Sequence, residues 1–426
     1  MATISTALNS ALAGLSVSAA QSALVARNVN AAGDENYTRK TAELRTLPGG
    51  APMVSAINRS TDRQLLDKLL LSGSEAEGRQ VSLDALQRMS ALVGDPEDSR
   101  SIAASLGKLQ QSLRAYESNP ASSVLGRDAL EAARGLAGRL NDASLETARI
   151  AQEADTAMAD SVERINNLLA QFKVVNDSVV RGQGTAMELS ETLDQRDAIL
   201  KQLSEEIGIR TTVRPNNDIV IHAEGGAVLF EQSPRVVSFT ISEPLSPGLP
   251  GNAVLVDGVA VTGDGAPMRA VTGKLAAYAG VRDSTAPLLF RQLDQMAAGL
   301  IRAFAEMDPG LPATLPDVEG LFTGAGGTLP DAANPPAGLA ALLRLNALAD
   351  PQQGGSVLTL RDGGFGGAAY LRNTGGQPGF QKRIAELADA IDATQGFGVS
   401  SGIGGRVSLK GFSLQSAGWG GGGGAA

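Results

Sequence analysis

Cysteine is absent from this 426-residue sequence, which removes disulfides, thiolate metal sites and thiol nucleophiles together. Histidine occurs once, at His222, so neither a Ser-His-Asp arrangement nor a His-rich metal site can be put together. Aromatic residues make up only 4% of the chain. Its cores must be built from Ala and Leu, which suit close helix packing better than deep ligand pockets. No cluster of Lys and Arg interrupts a net charge of −9, and this argues against a nucleic-acid or anionic-membrane partner. Residues 2–26 are uncharged but carry Thr3, Ser5, Thr6, Asn9, Ser10, Ser16, Ser18, Gln21 and Ser22, which makes them too polar for a membrane span. No Lys or Arg precedes them, so the charged start of a cleaved secretory signal is missing as well.

What is present is helical heptad phase. Ile4, Leu8, Ala11, Leu15, Ser18, Ser22, Val25 and Val29 step by four and three. Three of those eight positions, Ala11, Ser18 and Ser22, are small or hydroxylic, so the helix is poor alone and suited to tight packing on a partner. Gly33-Asp34-Glu35-Asn36 ends it, and residues 37–58 read as two extended pieces around a Pro48-Gly49-Gly50 turn. Helix is expected again from about Ser60. Ile102, Leu106, Leu109, Leu113 and Tyr116 form a 4-3-4-3 seam that Asn119-Pro120 stops. A long helix follows from about Ser123 to Val180, then a shorter one carrying Leu193, Leu200, Leu203 and Ile207. These predict an α+β, mainly α fold: an elongated, antiparallel, coiled-coil-like bundle with an inserted small β domain and disordered termini.

The boundaries expected are 1–59 for the N-terminal helix and extended segment, and 60–208 for the bundle. Residues 209–272 are β-rich, with turns at Asn216-Asn217-Asp218 and Asp257-Gly258. This part is expected to face outward, and its removal is expected to spare export. Residues 273–308 return a helix to the bundle. Residues 309–410 are a Gly/Pro-rich mixed region with a short helix at 381–393, and 411–426 are a disordered Gly-rich tail.

No residues assemble into a reaction centre. His222 alternates with Ile219 and Ile221 and reads as a solvated strand-face side chain. The pieces GAGGTL, GGFGGAA and GIGG lack the strand and helix context of a phosphate loop. Asp194, Arg196 and Asp197 share one helix and read as solvated or intrahelical pairs, such as Asp197 with Lys201. Asn36-Tyr37-Thr38 matches a glycosylation acceptor, a frequent chance match. No catalytic, cofactor-binding or metal-binding residue is expected.

Two motifs carry a resemblance. ALNSALAGLSVSAAQSALVARNVNAAGDENYTRKTAEL resembles the first segment of flagellar rod and hook axial proteins, with Asn28, Asn30, Ala31, Tyr37, Arg39 and Lys40 where that pattern has them. Gly33-Asp34-Glu35-Asn36 departs from the usual Asn-Thr-Pro-Gly. LSETLDQRDAILKQLSEEIGIRTTV resembles the hook-associated protein 1 family through Leu193, Asp194, Gln195, Arg196, Asp197, Leu200, Leu203 and Ser204. Gly273, Leu275, Arg282, Asp283, Leu293, Asp294 and Ala297 are similar to that family's next helix, and LRLNALADPQQGG and LRDGG to a later segment.

The resemblance implies a non-enzymatic, cofactor-free structural adaptor joining hook to filament, secreted through the flagellar type III apparatus and required for filament assembly. Its implied partners are copies of itself in a ring or tube, the flagellar hook protein, the next hook-associated protein, and the export apparatus with a chaperone, but no nucleic acid and no membrane. Its implied assembly surface is the N-terminal helix and hinge: Ile4, Leu8, Leu12, Leu15, Val25, Asn28, Asn30, Tyr37 and Arg39. The family's apolar C-terminal helix has no counterpart in SLQSAGWGGGGGAA. The chain as it stands is therefore expected to be monomeric, with a mobile N-terminal helix, and to assemble poorly. Two other readings are a hook or distal-rod subunit and a flagellum-associated hydrolase.

Overall fold

The computed structural model describes residues 2–48, 50–94, 98–182, 186–242, 249–310, 313–324, 326–398 and 405–409. The expected tail at 411–426 lies outside them. The chain opens with helix α1 (Ala2–Asn30) and a hairpin of β1 (Lys40–Thr46) and β2 (Pro52–Arg59). Helices α2 (Arg63–Val93), α3 (Ile102–Ser118), α4 (Ser123–Arg181) and α5 (Ala186–Glu206) follow. An antiparallel sheet takes β3 (Ile209–Val213), β4 (Ile219–Ala223), β5 (Val228–Glu231) and β6 (Ser233–Pro234) in sequence order. A smaller one takes β7 (Val237–Ser238), β8 (Leu255–Val256) and β9 (Val259–Ala260). Then come α6 (Lys274–Gly280), a π turn (Val281–Thr285) and α7 (Ala286–Ala303). The remainder comprises β10 (Phe322–Thr323), α8 (Leu339–Leu342), β11 (Arg344–Leu345), α9 (Leu358–Asp362), α10 (Lys382–Ala390), β12 (Thr394–Phe397) and β13 (Gly405–Ser408). The fold is mainly helical with small antiparallel sheets, as the periodicity predicts. The N-terminus departs from the expected disorder: it is helical from Ala2, and an uncharged run rich in Ala, Leu and Ser supports that conformation.

Two compact units divide these elements. One takes residues 1–81, 156–241 and 252–279, and the other takes 82–155, 242–251 and 280–426. Both cut across the six consecutive segments expected, because α2 and α4 each lend one end to either unit.

In the first unit, Leu70 of α2, Ile165, Leu169 and Phe172 of α4, and Leu200 and Leu203 of α5 share a core with Ile219, Ile221 and Phe230 of the sheet. Phe172 meets Phe230 edge-on at 4.9 Å, a favoured quadrupole geometry. The small β domain thus shares its core with the helices. Removing 209–272 would bare the helix face that the sheet covers. The two-residue turn Asp257-Gly258 has positive φ at both positions (47° and 82°), as a twisted hairpin requires. Gly273 is at φ 94°, and a Cβ there would lie 2.7 Å from the Glu206 carbonyl, so only glycine fits.

In the second unit, Ser101 caps α3 by accepting from Ala104 N, and the predicted seam Ile102, Leu106, Leu109, Leu113 and Tyr116 is buried. Helix α7 is buried on nearly every side, which marks a central helix. Asp294 sits on it with no countercharge acting on it: its carboxylate accepts from Gly338 N and Ala340 N, both at 2.8 Å, and so holds the start of α8. Burial raises its pKa to about 6 against the two backbone bonds. A carboxyl raised in the folded state favours folding while protonated. That contribution is complete below about pH 4 and is lost as pH rises through about 6, by up to about 1.4 kcal/mol per unit. Asp294→Asn should remove this slope, so its stability relative to the parent improves as pH rises from 4 to 7. Urea unfolding of both proteins across that range checks this, and a pH-independent difference would contradict it.

Candidate assembly interface

Helix α1 has two faces. Val17 and Leu24 are buried where the helix packs on the β1–β2 hairpin, with Asn28 half-buried in the same line. The expected seam lies on the opposite side, since Ile4 (75%), Leu8, Leu12, Leu15 (69%), Val25 and Val29 are exposed. The seam is thus turned away from the contact that holds the helix. By length and composition alone the stretch Ile4–Asn30 is long and apolar enough to cross a bilayer. That corrects the expectation that its hydroxyls alone forbid it.

The base of α1 is tied down through two side chains, of which Arg27 reaches Glu191 of α5 at 2.6 Å. Asn28 Oδ1 accepts from Lys40 N (3.0 Å) and from the Tyr37 hydroxyl (2.9 Å), and its Nδ2 donates to the Lys40 carbonyl (2.8 Å). The amide therefore pairs with the first residue of β1 much as a neighbouring strand would. Lys40 places its ammonium 4.0 Å from the Tyr37 ring centroid and, only 1% exposed, donates to Asp194 Oδ2 at 2.7 Å. Asp194 Oδ1 also accepts from Thr38 Oγ1 and from Arg59 Nε (2.8 Å), and Arg59 Nη2 reaches Asp197 Oδ2 at 2.5 Å. Lys40 and Arg59 are cross-strand partners, so the hairpin presents two cations side by side to two carboxylates on α5.

The structure therefore joins the two residue sets that the sequence left apart. It also corrects the pairing. Asp194 is buried rather than solvated, Asp197 binds Arg59 rather than Lys201, and Lys201 reaches Glu35 at 3.2 Å. Arg196 is buried too, donating to the Asn217 carbonyl at 2.6 Å and to Asn176 Oδ1 at 3.3 Å. Burial pushes its pKa down to about 10, against the opposing pull of Asp197. Leu200 and Leu203 belong to the core and Leu193 is half-buried, while Gln195, Asn30 and Arg39 are exposed. Sequence reasoning passed over Thr38 and Arg59 and kept Lys40 off the interface. His222 is half-buried between Ile221 and Ala223. Among the described residues, no group of three or more His, Asp or Glu is placed to hold a metal ion.

The body is mainly helical, and its N-terminal helix, clamped at its base, turns an uncharged seam outward. The model of the family described as flagellar hook-associated protein FlgK helical domain matches residues 86–309, more than half of the chain, and the chain belongs to that family. It is 24% identical over 241 residues to flagellar hook-associated protein 1 of Salmonella typhimurium (strain LT2), covering 54% of this chain and 43% of that protein. The Escherichia coli K12 protein of the same name is 22% identical over 241 residues, covering 54% and 44%. The match spans less than half the length of these relatives. The flagellar hook junction protein FlgK from Burkholderia pseudomallei, a solved structure, aligns with a TM-score of 0.49 at 20% identity, over 61% of this chain and 46% of that one.

Proposed function

We propose that the protein is a non-enzymatic structural subunit of the bacterial flagellum, placed where hook meets filament, and that its α1 seam is the face by which it enters the tube. The observation that carries this reading is the seam itself. Six large apolar side chains on one helix, uncharged up to Arg27, stay exposed while the other face is held by the hairpin. In water such a stripe disfavours the isolated state by roughly 25 cal/mol for each Å² left uncovered, so a partner surface is expected. Contacts between identical subunits that repeat head to tail build rings and tubes, as an axial component requires. Hook protein, the next hook-associated protein, and the export apparatus with its chaperone are the partners proposed with this role, together with secretion through that apparatus.

Immunogold labelling of detached native flagella, with antibody to residues 209–272, tests the placement. A single band of gold where hook meets filament is expected. Gold along the whole hook would move the protein to a hook or rod subunit, and flagella without gold would overturn the axial role. Because the seam faces away from the hairpin, Leu8→Asp with Leu15→Asp should change unfolding free energy by no more than about 0.5 kcal/mol, as exposed substitutions do. The same pair should abolish the gold band. A loss of several kcal/mol in urea would show that the seam is already covered within the chain.

A further inference from the structure

We propose that the recess bounded by β2, α2 and α5 is a binding site for a small organic carboxylate with an apolar body. The site is separate from the assembly role, and the position of the gold label has no bearing on it.

The recess has a volume of about 670 Å³, within the range of small-molecule sites. Its apolar wall comes from Leu65 and Leu69 of α2 and Leu189 and Leu193 of α5. Leu65 is 65% exposed and Leu69 is 49% exposed, one helical turn apart, so they offer uncovered apolar surface to a ligand.

Arg196 of α5 decides what that ligand carries. It lines the recess and is only 5% exposed. Its Nη1 donates to the Asn217 carbonyl and to Asn176 Oδ1. Among the described residues, its Nε has no hydrogen-bond partner and its charge has no ion-pair partner. A buried guanidinium with an unmade bond is costly, and a carboxylate both fills the bond and balances the charge.

The surrounding charges do not supply that anion. Asp197 and Asp218 attract Arg196 through space, but Asp197 is bonded to Arg59 at 2.5 Å and Asp218 accepts from Asn176 at 2.7 Å. Arg59 and Arg63, which also line the recess, repel it. Glu35 pairs with Lys201 at 3.2 Å. Asp62 also lacks an ion-pair partner among the described residues, yet it is exposed to water and accepts from Gln64 N (2.8 Å) and Leu65 N (3.3 Å). The asymmetry sets the sign of the ligand: the unpaired anion is solvated, whereas the unpaired cation is buried. Ser190 Oγ, in a side chain only 2% exposed, is a second unpartnered donor on the α5 wall. A cationic ligand would add a like charge to Arg196, and an apolar one would leave its Nε unfilled.

Equilibrium dialysis of the full chain against radiolabelled decanoate tests the site, with 1-decanol as the uncharged probe of the same length. Saturable binding of decanoate is expected. Arg196→Gln should weaken it roughly 10- to 100-fold, the worth of one hydrogen bond to a charged group, while leaving 1-decanol binding unchanged. Leu69→Glu, at an exposed position, sets a fixed carboxylate at the recess and should weaken decanoate at least about tenfold. Leu145→Glu, at an exposed leucine of α4, should change nothing. Circular dichroism melts report whether each variant keeps its fold, and Leu69→Glu decides alone if Arg196→Gln does not. Absence of saturable binding would overturn the proposal. So would decanoate binding that is indifferent to either folded variant, as it would be on the exposed α1 seam. An equal loss of 1-decanol in Arg196→Gln would also overturn it, because shape rather than charge would then hold the ligand.

Discussion

Asp194→Ala is expected to release α1 and the hairpin while leaving the helical body folded. Removing this carboxylate leaves Lys40, almost wholly buried, with only the Tyr37 ring for its ammonium, and takes from Arg59 one of its two anions. Stripping one partner from a buried pair destabilises by about 3–5 kcal/mol, because the remaining charge is neither solvated nor paired. A local opening free energy lowered by about 3 kcal/mol raises the open population roughly 100-fold. The readout is hydrogen exchange, or cleavage by trypsin after Arg39 and Arg45, with residues 28–59 losing protection and the α4 and α5 core amides unchanged. Asp197→Ala should do much less, about 1 kcal/mol, since Asp197 holds only Arg59 and Asp194 keeps that cation. If both variants left exchange of the hairpin unchanged, the clamp would not be what fixes α1.

The second large effect lies in the other unit. Arg282, in the π turn before α7, donates from Nη1 to Asp155 Oδ1 at 2.5 Å and grips Asp283 at 2.7 Å and 3.0 Å. Asp155 is fully buried, and its two oxygens also take Ser242 N (2.7 Å) and the Ser242 hydroxyl (3.0 Å). The bonds to both carboxylates outweigh burial and hold the Arg282 pKa above its ordinary value, so the guanidinium stays charged. Arg282→Met fills much of the same space but leaves the Asp155 carboxylate without a cation. A loss of about 3–5 kcal/mol in urea unfolding is expected. Combining it with Asp155→Asn should restore most of that loss, since Asn keeps an acceptor for Ser242 and carries no charge to strand. If the double variant were as unstable as the two single losses added together, the effect would be one of packing rather than charge.

Much of the fold was legible because helical periodicity is written locally. The seam of α3 is buried residue for residue, and α4 runs from Ser123 to Arg181 where Ser123 to Val180 was expected. Near the end of α4 the stripe drifts. Val175 is only half-buried and Asn176 takes the inner position, which follows from a helix of 3.6 rather than 3.5 residues per turn. How the small β domain packs on the helices was not legible. Strand alternation shows that Ile219 and Ile221 share a buried face, but not that Phe172, 47 positions earlier, covers it.

The clamp was half legible. Asp194, Asp197, Asn28 and Tyr37 stood out by motif, yet their meeting is a tertiary event more than 130 residues apart in sequence. Lys40 comes opposite Arg59 only because the pairing shifts register between Glu43 and Leu44, a bulge that residue counting does not reveal. Arg39, one residue before β1, is exposed, while Lys40 turns inward.

The most direct measurement is the reactivity of L15C toward a water-soluble maleimide, first in the isolated chain and then in purified flagella. Leu15 lies in the middle of the seam, and no native thiol competes. Rapid labelling of the isolated chain, a fall of about 100-fold in intact flagella and recovery on dissociation are expected from a face that becomes buried in the tube. Equal reactivity in both states would contradict the assignment of the α1 seam to assembly.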